Sequence, residues 1–128
     1  MQLNVPTSRK AELVNITSRV QGLVREQGIQ DGVAMVFVPH TTAGVTINEA
    51  ADPDVARDML MALDTLVSET LDYRHAEGNS PAHVKASLMG SSVLIEIAGG
   101  KLALGVWQGV FLCEFDGPRT RKVRIAFL

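Results

Sequence analysis

The sequence predicts an α+β domain with a mixed, largely antiparallel sheet system. Three observations lead there. Strand-like runs outnumber helix-like ones. The strands fall into hairpin-type pairs punctuated by Gly99-Gly100 and Asp116-Gly117-Pro118. Two main helical patterns and one short one interrupt them, in the order ββαββα(α)ββββ.

Each element follows from its residues. Alternation over Gln2–Thr7 and Ala11–Ile16 predicts two short strands. A helix follows, with Thr17 or Ser18 as N-cap and Ser18 with Gln21 as a capping box. Val20, Leu23 and Val24 give it an apolar stripe, and Gly28 stands where a glycine ends a helix. Val33–Val38 is a continuous apolar run, predicted to be a buried strand that ends at Pro39. Gly44–Asn48 reads as the next strand. Asp52-Pro53 is a strong helix start, and Ala56, Met59, Leu60, Leu63, Leu66 and Val67 share one face up to about Ser68. Leu71–Pro81 reads as a polar loop and Ala82–Leu88 as the short helix. Four strands are expected at Ser92–Ile97, Leu102–Val106, Gly109–Asp116 and Lys122–Phe127. Val36, Ile47, Leu63, Ile95, Leu104 and Leu112 are expected in the core.

At 128 residues the chain reads as one domain, residues 1–128, large enough to bury roughly two-thirds of its unfolded surface. Apolar residues make up 46% and aromatics only 5%, so the core should be aliphatic. A net charge of −2 argues against nucleic acid as a partner. Cys113 is the only cysteine, so no internal disulfide forms and no oxidising compartment is needed. The N-terminal residues lack a basic and apolar targeting pattern, and no apolar run is long enough for a bilayer. A cytoplasmic protein with no membrane partner is the expectation. Asn15-Ile16-Thr17 matches a glycosylation sequon and is read as chance.

The residues able to carry chemistry form three groups. His40, His75 and His83 lie in loops or at element ends, where functional groups concentrate. Three imidazoles can build a tripodal metal site with an open position. Their spacing matches no local metal motif, so on spacing alone three unrelated histidines are the simpler reading. Glu49, Asp52 and Glu77 are carboxylates near these segments and can orient an imidazole or exchange protons. Asp52 is explained by capping alone. Lys85, Arg119, Arg121 and Lys122 are cations able to hold phosphate oxygens. A solvated basic turn beside an edge strand explains the last three as well. Trp107, between Gly105 and Gly109, packs in the core, walls a pocket or meets another subunit. Cys113 reads as a small core residue.

Three ordered blocks then carry a resemblance. The first runs from His40-Thr41-Thr42-Ala43-Gly44 through Asn48-Glu49 to Asp52-Pro53. The second is Tyr73-Arg74-His75 with Glu77-Gly78-Asn79, then Ala82-His83-Val84-Lys85-Ala86-Ser87-Leu88 and Gly90-Ser91-Ser92. The third runs from Leu104-Gly105-Val106-Trp107-Gln108-Gly109 to Asp116-Gly117-Pro118-Arg119. Together they resemble the secondary thiamine-phosphate synthase (YjbQ-like) family.

That resemblance implies a compact β-sandwich-like α+β fold, a cytosolic homotrimer, and transfer of a hydroxymethylpyrimidine diphosphate onto a thiazole phosphate with release of pyrophosphate. Among the residues described above, Glu77, His83, His40 and Glu49 are the expected catalytic residues. Thr41, Asn48, Asn79, Lys85, Arg119 and Arg121 would bind the phosphorylated substrate, and His40, His75 and His83 a divalent metal. A diphosphate favours Mg²⁺, whereas three histidines favour Zn²⁺. Two other functions fit the same residues: a metal-assisted hydrolase of a phosphorylated small molecule, and a non-catalytic trimeric metabolite-binding protein. The geometric expectation is that the three histidines converge, with Glu77 beside them.

Overall fold

The structure is a computed structural model that describes all residues, 1–128. In chain order it comprises β1 (Gln2–Pro6), β2 (Glu12–Asn15), α1 (Thr17–Glu26), β3 (Gly32–Phe37), β4 (Ala43–Glu49), α2 (Pro53–Leu66), α3 (Ser80–Met89), β5 (Ser92–Ala98), β6 (Lys101–Leu102), β7 (Gln108–Glu114) and β8 (Thr120–Phe127). The strands form a five-stranded sheet ordered β1-β8-β3-β5-β6 and a three-stranded sheet ordered β2-β7-β4. Every pairing is antiparallel. The α+β fold with antiparallel sheets and three helices is the one expected.

The inner faces of the two sheets make the main core. Val36, Ile95, Val123 and Ile125 of the large sheet meet Val45, Val110 and Leu112 of the small one, with Val20 of α1 packed in. Val36, Leu63, Ile95 and Leu112 are buried as expected, while Ile47 and Leu104 lie partly buried against the core. β7 is buried on both faces. Its outward Cys113, followed by Phe115, packs against Leu63 of α2 and Ala82 and Ala86 of α3. Burial pushes the Cys113 thiol up to about 12, so it is an inert core residue.

Capping follows the sequence in α2 and departs from it in α1. Asp52 accepts the N–H of Asp54 at 2.9 Å, and Pro53 opens the helix. At α1 the N-cap is Ile16 with no side-chain cap, and neither the Thr17 cap nor the Ser18–Gln21 capping box forms, because Thr17 and Gln21 have other partners. Thr17 Oγ1 donates to Asn15 Oδ1 at 2.6 Å and accepts the Val110 N–H at 2.8 Å. Gln21 reaches across to the Gly100 carbonyl and the Leu102 N–H. α3 is longer than expected and starts at Ser80. None of the helices is long and apolar enough to cross a membrane.

Expected as a substrate ligand, Arg121 is instead structural. It is 2% exposed and forms an ion pair with Glu114, which is fully buried. Its guanidinium also donates to Thr42 Oγ1 at 2.8 Å, and Thr7 Oγ1 donates to Glu114 at 2.8 Å. The correction has a simple cause: β8 alternates, and position 121 faces inward between the sheets.

Candidate functional site

The candidate site forms where α3 crosses the first residues of β4. The contact is possible because position 44 is glycine. A Cβ there would lie 2.6 Å from the Gly90 carbonyl oxygen and 3.1 Å from the Met89 Cβ. The Val45 N–H donates to that same Gly90 oxygen at 3.0 Å, locking the C-terminal end of α3 to the strand. α3 therefore presents different sides to three cavities.

One cavity, of about 500 Å³, is lined by His40, Thr41, His83, Ser87 and Ser91 together with small residues. Its polar lining is two imidazoles and three hydroxyls, with no carboxylate. His40 Nε2 accepts the backbone N–H of Lys122 at 2.9 Å. A neutral ring that accepts at Nε2 carries its proton on Nδ1, which is then a donor. Burial first, and the nearby Arg121 guanidinium second, hold the His40 pKa below the ordinary imidazole value. His40 is thus a neutral, oriented hydrogen-bond donor beside cationic residues, an arrangement suited to an anionic oxygen.

A second cavity, of about 540 Å³, lies on another side of α3 and holds Asn79 and Lys85. Lys85 is only 6% exposed and pairs with Asp64 of α2. Asp64, Glu69, Glu77 and Asp116 outnumber Lys10 and Lys85 here. This excess of carboxylates corrects the expectation that Lys85 and Asn79 hold a phosphate: the local charge repels one. Asn79 Nδ2 donates to Asp116 Oδ2 at 2.9 Å, while its buried Oδ1 has no partner. Arg119 is half exposed and forks onto Asp116, with Nε on the carbonyl at 2.9 Å and Nη2 on the carboxylate at 3.2 Å.

The third cavity, of about 360 Å³, is lined by Tyr73, His75, Ser80, His83 and Val84. The rings of His75 and His83 meet edge to face at 5.4 Å. Glu77 lies 3.7 Å from His75, and both are solvent-exposed.

His83 is the hub of this arrangement, since it shares one cavity with His40 and another with His75. The expected tripod, however, does not assemble within one chain. His40 spends its Nε2 lone pair on Lys122, and His75 packs on the far side of His83. No three His, Cys, Asp or Glu side chains converge closely enough to hold a metal ion. The donor set of a single chain does not fit the divalent metal that the three histidines suggested.

Asn48 and Glu49 are also separated from the histidines. They end β4, whereas the histidine cavity adjoins its first residue, Ala43; at about 3.3 Å per residue, Ala43 to Glu49 spans about 20 Å. Sequence reasoning missed Asp64, Ser87 and Tyr73. Tyr73, Ser87 and Ser91 lay inside the second block, but Asp64 carries no local signal, being an ordinary acidic residue on an amphipathic helix.

Comparison with known proteins gives a consistent result. The family described as "UPF0047 protein YjbQ-like" matches residues 1–128. The UPF0047 protein YugU of Bacillus subtilis is 47% identical over 128 residues, covering 98% of this chain and 96% of that protein. A UPF0047 protein of Methanocaldococcus jannaschii is 46% identical, covering 97% and 90%. A crystal structure of an uncharacterized conserved protein of the yjbq/upf0047 family from Clostridium acetobutylicum superposes with a TM-score of 0.97 at 54% identity, covering 100% and 99% of the two chains. A YbjQ-like protein of unknown function from Sulfolobus solfataricus gives 0.94 at 32% identity, covering 99% and 94%. These proteins are described by family alone, and none is tied to thiamine phosphate. The expected thiamine-phosphate synthase activity is accordingly withdrawn.

Proposed function

This chain belongs to the UPF0047 YjbQ-like family, and from that premise we propose that it is an enzyme acting on a small phosphorylated molecule by histidine acid–base chemistry. The observation that carries the reading is the cavity shared by His40 and His83, with hydroxyls for its remaining polar lining and no carboxylate.

In this reading the phosphate lies against Thr41, Ser87 and Ser91. His40, held neutral and fixed by Lys122, donates Nδ1–H to a ligand oxygen and does not exchange its proton. His83 has no such tether to its ring and carries the proton to and from the reacting group. Of the cations on the β8 side, Arg121 and Arg119 are matched by Glu114 and Asp116, which leaves Lys122 to supply positive potential. The proposal includes a cytoplasmic homotrimer, with neither nucleic acid nor membrane as partner.

The test is a titration with inorganic phosphate and then with a panel of phosphorylated metabolites, read from the imidazole C–H resonances. Phosphate should shift His40 and His83 and leave His75 less affected. His83→Ala should abolish turnover of any substrate the panel identifies. If phosphate moves neither His40 nor His83, the reading fails.

A further inference from the structure

We propose that the Val106–Trp107 turn of one copy of this chain docks into the cavity lined by Tyr73, His75, His83 and Val84 on a second copy, bringing Glu49 to that neighbour's histidines.

The turn is built to project. Gln108 N–H donates to the Gly105 carbonyl at 3.0 Å, which closes a four-residue turn. The Gln108 side chain accepts the Gly105 N–H at 2.8 Å and braces it. Val106 and Trp107 therefore occupy the two corner positions, 89% and 63% exposed. Two large apolar side chains on one rigid tip mark a contact surface, and a tryptophan is the side chain most enriched at such anchors.

The cavity has the complementary character. Tyr73 and the edge-to-face His75–His83 pair supply aromatic walls, and Val84 is 41% exposed at its rim. Leu88, one turn along α3, is 59% exposed and extends the apolar surface. An aromatic-walled pocket suits an indole ring.

Tip and cavity cannot meet within one chain. The tip precedes β7, and α3 packs near the other end of that strand, where Asn79 bonds Asp116; Gln108 to Glu114 alone spans about 20 Å. The contact must therefore join different copies. A tip on one copy against a pocket on the next gives a ring where the rotation between copies closes, and a two-fold dimer where tip and pocket exchange reciprocally. Glu49 pairs with Gln108, and the Ala50 N–H donates to the Trp107 carbonyl. Glu49 therefore travels with the tip. In the docked pair its carboxylate would come to the neighbour's cavity, whose lining includes His75 and His83.

Sedimentation with Trp107 fluorescence tests this. The wild-type chain should sediment as a closed oligomer at micromolar concentration, with blue-shifted emission from its single tryptophan. Trp107→Ala and Val84→Glu should each dissociate it with unchanged circular dichroism. Mixing the two variants should give a two-chain species absent from either alone, because each keeps one complementary face. Glu49→Gln should leave the oligomer intact and move the imidazole C–H resonances of His75 or His83, an effect lost in a Trp107→Ala background. A monomeric wild type, an oligomer untouched by both face variants, or imidazole resonances indifferent to Glu49 would overturn the proposal. Phosphate binding at His40 is read separately in the dissociated variants, so failure here is distinct from failure of the phosphate reading.

Discussion

His40 Nε2 accepts the backbone N–H of Lys122 at 2.9 Å, so the loop after β3 is joined to β8 by a bond that exists only while the imidazole is neutral. Burial and the Arg121 guanidinium favour the same state. The folded pKa lies below the unfolded value of about 6.5, so the unfolded chain takes up this proton first as pH falls. Stability from His40 is therefore complete above about pH 6.5 and is lost as pH drops from there through the folded pKa. Thermal melts should show a decline over that window that is shallower in His40→Gln. Identical slopes would remove His40 as the cause.

Arg121 and Glu114 define the second prediction. Removing one member of a buried, hydrogen-bonded pair strands the other charge, at a cost of about 3–5 kcal/mol. Arg121→Leu should lower the denaturation midpoint sharply, whereas Arg119→Ala, at a half-exposed pair, should change it little. Replacing Arg121 and Glu114 together by apolar residues should recover part of the loss. Equal effects from Arg121 and Arg119 would contradict the burial of the inner pair.

These two arginines show where the sequence was legible. The last strand was expected from Lys122, whereas β8 begins at Thr120 and its alternation turns position 121 inward. Its partner there is Glu114, which lies in the other sheet and across a turn. No local pattern pairs them, so Arg121 read as part of a basic turn. The strand expected over Leu102–Val106 failed for a related reason: only Lys101–Leu102 pairs, and Gly105 opens the turn that carries Trp107 outward. Strong local signals such as Asp52-Pro53, the Val33–Val38 run and Gly28 at φ 66° held. The histidines were found as candidates, but their partition between two cavities around His83 is a property of how α3 crosses β4.

Leu112 provides a control on the core. It is fully buried between the sheets, so Leu112→Ala should cost about 2–5 kcal/mol by chemical denaturation. Leu88→Ala, on the exposed side of α3, should cost far less in a dissociated background. Similar losses at both positions would conflict with the packing described.

The last prediction concerns Gly44, the residue that sets the height of α3 above the small sheet. A methyl group there meets the Gly90 carbonyl at 2.6 Å and the Ala86 carbonyl at 3.3 Å, both backbone atoms that no rotamer change can move. Gly44→Ala must therefore push the C-terminal end of α3 away from β4, at a cost of about 1–3 kcal/mol for an overpacked contact. The shift breaks the bond from Val45 N–H to Gly90 and widens the cavity between His40 and His83. His40 itself is tied to Lys122 and stays in place, so the two imidazoles separate. Two readouts then diverge in a way general destabilisation does not reproduce. The Val45 amide should lose hydrogen-exchange protection while the Leu112 amide, deep in the sheet, keeps most of its own. Phosphate should still shift His40 but no longer His83. Retained coupling of both imidazoles to phosphate in Gly44→Ala would mean that α3 does not depend on this glycine for its position.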